Sequence, residues 1–267
     1  MTEKSKTTSG RSGGRAQRLI KRAAKPVINP CPPGQFGGMY KPLSQPDLEN
    51  IFDTALRLLS ELGMGEIPNR LRQDLLTAGA KDGEAGRVVF PRSLTEDAIA
   101  KAAKTFVLHG RDETRSIEVG GSKVYFGTGG AAVQTLDLDS GTYRPSTLAD
   151  LHNFTRLQDT LANVSWYTRC CVATDVPSNF DLDVNTAYAL LLNTTKPTAT
   201  SFTLAEYVAP IVKMLDIAAG GKGAFSKRPF MKAHISPVIS PMRYGEDAVD
   251  VVYECIKHNI PMSCITA

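Results

Sequence analysis

The chain has 267 residues, 42% of them hydrophobic and 22% charged, an ordinary balance for a globular protein with one large domain or two small ones. No apolar run is long enough to cross a bilayer, so no membrane role is expected. The net charge of +4 sits in the first 25 residues, where eight Lys or Arg face one acid, Glu3; the other 242 residues carry 23 bases and 26 acids, which argues against a nucleic-acid partner.

In chain order, residues 1–43 read as a basic, Ser/Thr/Gly-rich tail followed by a lead-in with five prolines (Pro26, Pro30, Pro32, Pro33, Pro42) and no regular structure. The tail is expected to be a solvated leader, although an Arg-rich, acid-poor start also resembles an organelle transit peptide. Ser44 is a candidate N-cap, with Pro46 and Asp47 in the first helical turn. Leu48, Ile51, Phe52, Ala55, Leu59 and Leu62 then follow at helical spacing up to Gly63. A second helix is expected over 69–78, a short β-rich run over 87–90, and a third helix over 94–105 with a capping box from Ser93 and Glu96. Residues 117–119 and 123–126, flanking Gly120-Gly121-Ser122, read as a hairpin. Residues 133–136 form another strand, closed by the turn Asp139-Ser140-Gly141. Residues 44–137 are thus an α+β cap with the first barrel strand.

Residues 138–267 then alternate regularly. Helices are expected at 147–161, 182–192, 204–219 and 245–258, and strands at 164–172, 198–202, 230–235 and 261–266. Such alternation implies a parallel sheet with right-handed crossovers. A doubly wound sheet is disfavoured because no Gly-rich fingerprint joins a strand to its helix. The fold class is therefore α/β, an incomplete β/α (TIM-type) barrel that ends after about the fifth of eight strands. Its last strand would carry an unpaired edge, so the chain alone is expected to be inactive and poorly soluble. Five cysteines without a CxxC pair argue against a disulfide framework or a zinc site, so no metal is expected and a cytoplasmic location fits.

Chemistry in such folds sits at the carboxyl ends of the strands. The candidates there are Tyr167, Thr168, Arg169 and Cys170–Cys171, then Ser201, Phe202 and Thr203, then His234, Ser236 and Pro237, and last Cys264 and Thr266. His234 is the candidate catalytic residue, an imidazole that titrates near neutrality, weighed against a hydrogen-bonded core histidine. Arg169 can hold a carboxylate or phosphate as a fork, weighed against a surface ion pair. Cys170–Cys171 has the chemistry of a nucleophile, but adjacent strand residues face opposite ways, and packing is the commoner role for small thiols. Gly127-Thr128-Gly129-Gly130 resembles a phosphate loop but lacks the spacing and a following helix, so a tight turn is the better reading; Thr128 remains a candidate substrate contact. Tyr125, Phe126, Trp166, Tyr167 and Phe202 lie near strand ends, where aromatic faces can box a methylated ammonium or simply fill a core.

The segments Gly129–Asp137 (GGAAVQTLD) and Ser140–Leu151 (SGTYRPSTLADL) resemble the trimethylamine:corrinoid methyltransferase family. The resemblance extends through Leu62–Glu66 (LGMGE), Leu75–Ala80 (LLTAGA), Phe90-Pro91, Leu108–Asp112 (LHGRD), Ile235-Ser236-Pro237 and Ile260-Pro261-Met262, covering about residues 35–267. It implies a β/α barrel that moves a methyl group from a methylated amine to the cobalt of a separate corrinoid protein, with no cofactor bound directly. Family archetypes carry a pyrrolysine in the later part of the barrel; relatives without it include a glycine betaine methyltransferase. The resemblance leaves the substrate open between trimethylamine and a quaternary amine. Aromatic faces suit an ammonium and Arg169 a betaine carboxylate, so Tyr167, Arg169, Phe202 and His234 are expected to line the pocket; a homo-oligomer is left open. Two other readings stand beside it: a different TIM-barrel enzyme acting on a small anion, and an inactive fragment or subunit that needs a second polypeptide.

Overall fold

The computed structural model describes Gly14, Gln17, Leu19, Ile20 and residues 28–266, so most of the basic tail lies outside the described residues. The chain divides into two compact units, Met1–Pro32 and Pro33–Ala267. In the second unit five strands run parallel and neighbour one another in chain order: β1 (Phe126–Gly127), β2 (Val164–Thr168), β3 (Thr198–Thr200), β4 (Met231–Ile239) and β5 (Met262–Thr266). The register aligns Trp166 with Gly127, Tyr167 with Thr198, Thr200 with Ala233 and His234 with Ser263. Helices α1 (Leu148–Thr160), α2 (Asn179–Asn193), α3 (Val208–Ala218) and α4 (Glu246–Lys257) make the crossovers. The fold is α/β, an incomplete β/α barrel, and among the described residues β5 pairs with β4 alone.

The core lies between sheet and helices. Tyr167, Met231, Ala233 and Ile235 point outward from their strands and meet Leu151, Leu190, Ile211, Leu215 and Val251 from the helices. Alternate residues must then face the barrel interior, because successive side chains on a strand point to opposite sides. That parity decides which strand residues can share a pocket.

The turn at Asp139-Ser140-Gly141 closes a hairpin between Gln134–Leu136 and Tyr143–Pro145. Arg144, on its second strand, forks onto Asp150 at 2.6 and 2.9 Å, with its Nε 3.3 Å from Asp137. The same Asp150 carboxylate accepts the Thr147 backbone N–H at 2.9 Å, completing a capping box that starts α1. The segment that singles this sequence out is therefore a joint between hairpin and helix. Within it Ser146 is fully buried, and its hydroxyl donates to the Val172 carbonyl at 2.6 Å. Ser146→Ala is expected to cost about 1–2 kcal/mol, since it leaves a buried carbonyl short of a donor. A urea midpoint equal to that of the unsubstituted chain would contradict this.

The N-terminal elements depart from the sequence reading in four places. Gln35–Phe36, inside the supposed irregular lead-in, pairs with Lys123–Val124. Ile117–Gly120 pairs with Thr105–Leu108, so neither half of the expected 117–126 hairpin has the other as its ladder partner. Both strand halves found partners distant in sequence, which turn chemistry does not report. The third helix runs over Arg92–Lys101 behind Pro91 with no side-chain cap, because Glu96 is taken by Arg92 Nε at 2.8 Å. The first helix, Gln45–Arg57, does have the Ser44–Asp47 capping box, but Leu48, Ile51, Phe52 and Leu62 along its expected core face are exposed. Arg87 ties this region to the barrel, donating to the carbonyls of Leu62, Gly63 and Met242 at 3.0, 2.8 and 3.0 Å.

Candidate functional site

All five strands deliver their carboxyl ends to the same side. There a cavity of about 420 Å³ is lined by Thr168 and Arg169 after β2, Ser201, Phe202 and Thr203 after β3, and His234 on β4. A larger opening of about 700 Å³ lies at the other end of the strands, walled by the Thr105–Leu108/Ile117–Gly120 hairpin; there Lys232 Nζ sits 4.8 Å above the Trp166 ring. Size does not decide between them. Three residues that line the smaller cavity each carry a buried polar atom with no hydrogen-bond partner among the described residues: Thr168 Oγ1, Arg169 Nη1 and His234 Nδ1. Buried polar groups are normally paired, so three orphans around one cavity mark a place built for a polar ligand.

Burial lowers the Arg169 pKa, opposed by the charges of Asp183 and Cys171, yet a guanidinium stays charged at any physiological pH. Asp183, buried on α2, spends its carboxylate on Thr203, accepting from that residue's backbone N–H and hydroxyl; burial raises its pKa. Asp183 thus braces the loop after β3 rather than clasping Arg169. Burial also lowers the His234 pKa, and the nearby charges of Lys232 and Arg169 push the same way. The imidazole is therefore neutral at neutral pH. The site combines a fixed cation, a neutral imidazole, a buried hydroxyl, the face of Phe202 and, from the start of α4, the acidic side chain of Asp247.

Of the residues expected to line one pocket, Arg169, Phe202 and His234 come together. Tyr167 does not. It is 1% exposed on the helix side of β2, its hydroxyl 3.1 Å from Cys170 Sγ, because strand parity turns it away from the interior. Thr128 is corrected as well: its hydroxyl donates to the Thr168 carbonyl at 2.6 Å and accepts from the Thr168 N–H at 2.9 Å, a clamp in place of a ladder rung. Trp166 and Tyr125 belong to the opposite opening and Phe126 is half exposed, so among the described residues these aromatics form no box around Phe202. Cys171 is buried and Cys170 half-buried, and both line a separate cleft.

The Gly127–Gly130 run is a close-approach surface. A Cβ on Gly127 would stand 2.0 Å from the Trp166 ring, and one on Gly130 would stand 2.3 Å from the Arg169 carbonyl oxygen. Sequence reasoning overlooked Asp183, which stands on a helix that also carries Asp181, Asn185 and Thr186, so no local signal set it apart. Among the described residues no cluster of three metal-ligating side chains occurs, and no helix is long and apolar enough to cross a membrane.

Comparison with known proteins adds an independent line. The trimethylamine methyltransferase (MTTB) family model matches residues 11–267. The trimethylamine methyltransferase MttB of Desulfitobacterium hafniense (strain DSM 10664 / DCB-2) is 27% identical over 224 residues, covering 84% of this chain and 45% of that protein. The trimethylamine methyltransferase MttB of Methanosarcina thermophila is 24% identical over 230 residues, 82% of this chain and 46% of that protein. A crystal structure of the hydroxylamine MtmB complex aligns with a TM-score of 0.44 at 13% identity, over 81% of this chain and 50% of that one. The chain spans less than half the length of the two curated relatives. With nearly its whole length matched, this chain belongs to the trimethylamine methyltransferase (MTTB) family.

Proposed function

We propose that the strand-end cavity takes a methylated amine that also bears a carboxylate, a betaine, as methyl donor to the cobalt of a corrinoid partner protein. The carrying observation is that Arg169, Thr168 and His234 line one cavity and each carries a polar atom without a partner among the described residues. The guanidinium supplies a fork for a carboxylate, with Thr168 as a further donor. A neutral His234 leaves a quaternary ammonium unopposed, and Phe202 offers it an apolar face. Trimethylamine alone would use none of the cationic half of this cavity.

A quaternary ammonium leaves as a neutral amine once a methyl group is taken, so the departing group needs no proton. The corrinoid, when docked, supplies the nucleophile. The residues of this chain hold the carboxylate at Arg169, aim the ammonium toward the open strand ends, and keep water from the charge that disappears. His234 acts here as a neutral wall and hydrogen-bonding group rather than as an acid.

Titration of the chain with glycine betaine and with trimethylamine tests the reading. Arg169→Gln is expected to weaken betaine binding about 100-fold, the scale for losing one partner of a buried charged pair, and to leave trimethylamine binding unchanged. Equal affinity of the two proteins for betaine, or binding of trimethylamine alone, would remove the carboxylate assignment.

A further inference from the structure

We propose that Cys170 and Cys171 form a dithiol modification site for small disulfides, with Cys170 as the reacting sulfur and Cys171 as the resolving one. The two thiols lie just beyond β2, and both line a cleft of about 650 Å³ between the Gln134–Leu136 hairpin strand and α1. That cleft shares no lining residue with the strand-end cavity and is of a size that holds a tripeptide thiol. The assignment is independent of the substrate reading.

The two sulfurs are unequal in a useful way. Cys170 is half-buried, and its Sγ lies 3.1 Å from the Tyr167 hydroxyl. Hydrogen bonding from Cys171 brings its thiol down to about 7, against burial and with help from Tyr167. Cys171 is 2% exposed, and its hydrogen bond to Cys170, followed by burial, pushes its own pKa far up. The sulfur at the cleft wall, with the Tyr167 hydroxyl 3.1 Å away, is the nucleophile, and the next residue in the chain lines the same cleft, so its thiol needs no path from solvent to resolve the adduct.

The chemistry balances without a further reagent. The Cys170 thiolate attacks one sulfur of a small disulfide; a protein–ligand S–S bond forms, the ligand's own S–S bond breaks, and one thiolate leaves to take up a proton. Cys171 then attacks Cys170 Sγ, its proton passing to the second departing sulfur. Two protein thiols are oxidised to one vicinal disulfide, and one small disulfide is reduced to two thiols. Arg169 precedes Cys170 directly, so closing this ring alters the backbone that carries the cavity's cation.

Exposure of the native, unsubstituted chain to oxidised glutathione, acid quenching and peptide mapping by mass spectrometry tests the proposal. The expected result is glutathionylation of Cys170 ahead of exposed Cys264 and of Cys31, with a rate rising through a midpoint near pH 7. The adduct is then lost as a Cys170–Cys171 disulfide appears. In Cys171→Ser, and in Cys171→Ala as a second variant, the Cys170 adduct should persist at least 10 times longer. Modification of Cys31 or Cys264 while Cys170 stays free in the unsubstituted chain would overturn the proposal, as would an adduct that never resolves to the disulfide.

Discussion

Asp150→Ala is expected to lower the stability of the chain by about 4 kcal/mol, roughly 10 °C in melting temperature for a unit of this size. Three partners lose their acceptor at once. The Arg144 fork, at 2.6 and 2.9 Å, is left with Asp137 at 3.3 Å, and Thr147 loses both its backbone and its side-chain contact at the start of α1. Deleting one side of a fully buried pair costs about 3–5 kcal/mol and a lost cap adds about 1, but here only the Asp150 side is largely buried. The partial exposure of Arg144 holds the sum near the lower end.

The same carboxylate makes the stability pH-dependent, with a definite sign. The Arg144 fork holds the Asp150 pKa well below the usual carboxylate range. A group depressed on folding contributes fully above its unfolded value, near 4, and loses that contribution as the pH falls toward the folded value. Melting curves of the unsubstituted chain and of Asp150→Asn should therefore lie far apart at pH 7 and draw progressively together as the pH falls below about 4. A gap of constant size across that range would sink the account.

Gly130→Ala is expected to cost about 3 kcal/mol and to weaken ligand binding in the strand-end cavity about 10-fold, whereas Gly129→Ala stays within about 0.5 kcal/mol of the parent. The two glycines are adjacent, so composition cannot separate them. A Cβ on Gly130 would meet the Arg169 carbonyl oxygen at 2.3 Å and the Cys170 Cα at 2.9 Å, both backbone atoms that cannot turn aside; Gly129 has nothing within 4 Å. Relief requires the loop to lift from β2, which breaks the Ala132 N–H to Cys170 carbonyl bond at 2.9 Å and shifts Arg169. Paired denaturation and binding measurements decide; equal effects at 129 and 130 would show that the run is only a flexible turn.

Much of the architecture was legible because its signals are local. Ser44 with Asp47 and Thr147 with Asp150 cap helices through contacts three residues apart, and the sequence alone located the first start to the residue and the second to within one residue. The alternation of apolar helices and short β-rich runs likewise led to the parallel sheet, and the motif around Arg144 to the family. Where the deciding partner was distant, local reading failed. Glu96 suited a capping box with Ser93 but found Arg92, and the halves of the expected 117–126 hairpin found Thr105–Leu108 and Gln35–Phe36.

The site divides the same way. The sequence determined the candidate strand ends, and with them Arg169, Phe202 and His234. It could not choose between Tyr167 and its neighbours, since a parallel strand is covered on both faces and carries no polar alternation to show which side faces inward. Tertiary structure made that choice by packing Tyr167 under the helices, which turned Trp166 and Thr168 to the interior. It also decided which polar atoms remained without partners, because hydrogen-bond satisfaction is a property of the assembled environment and not of any residue type.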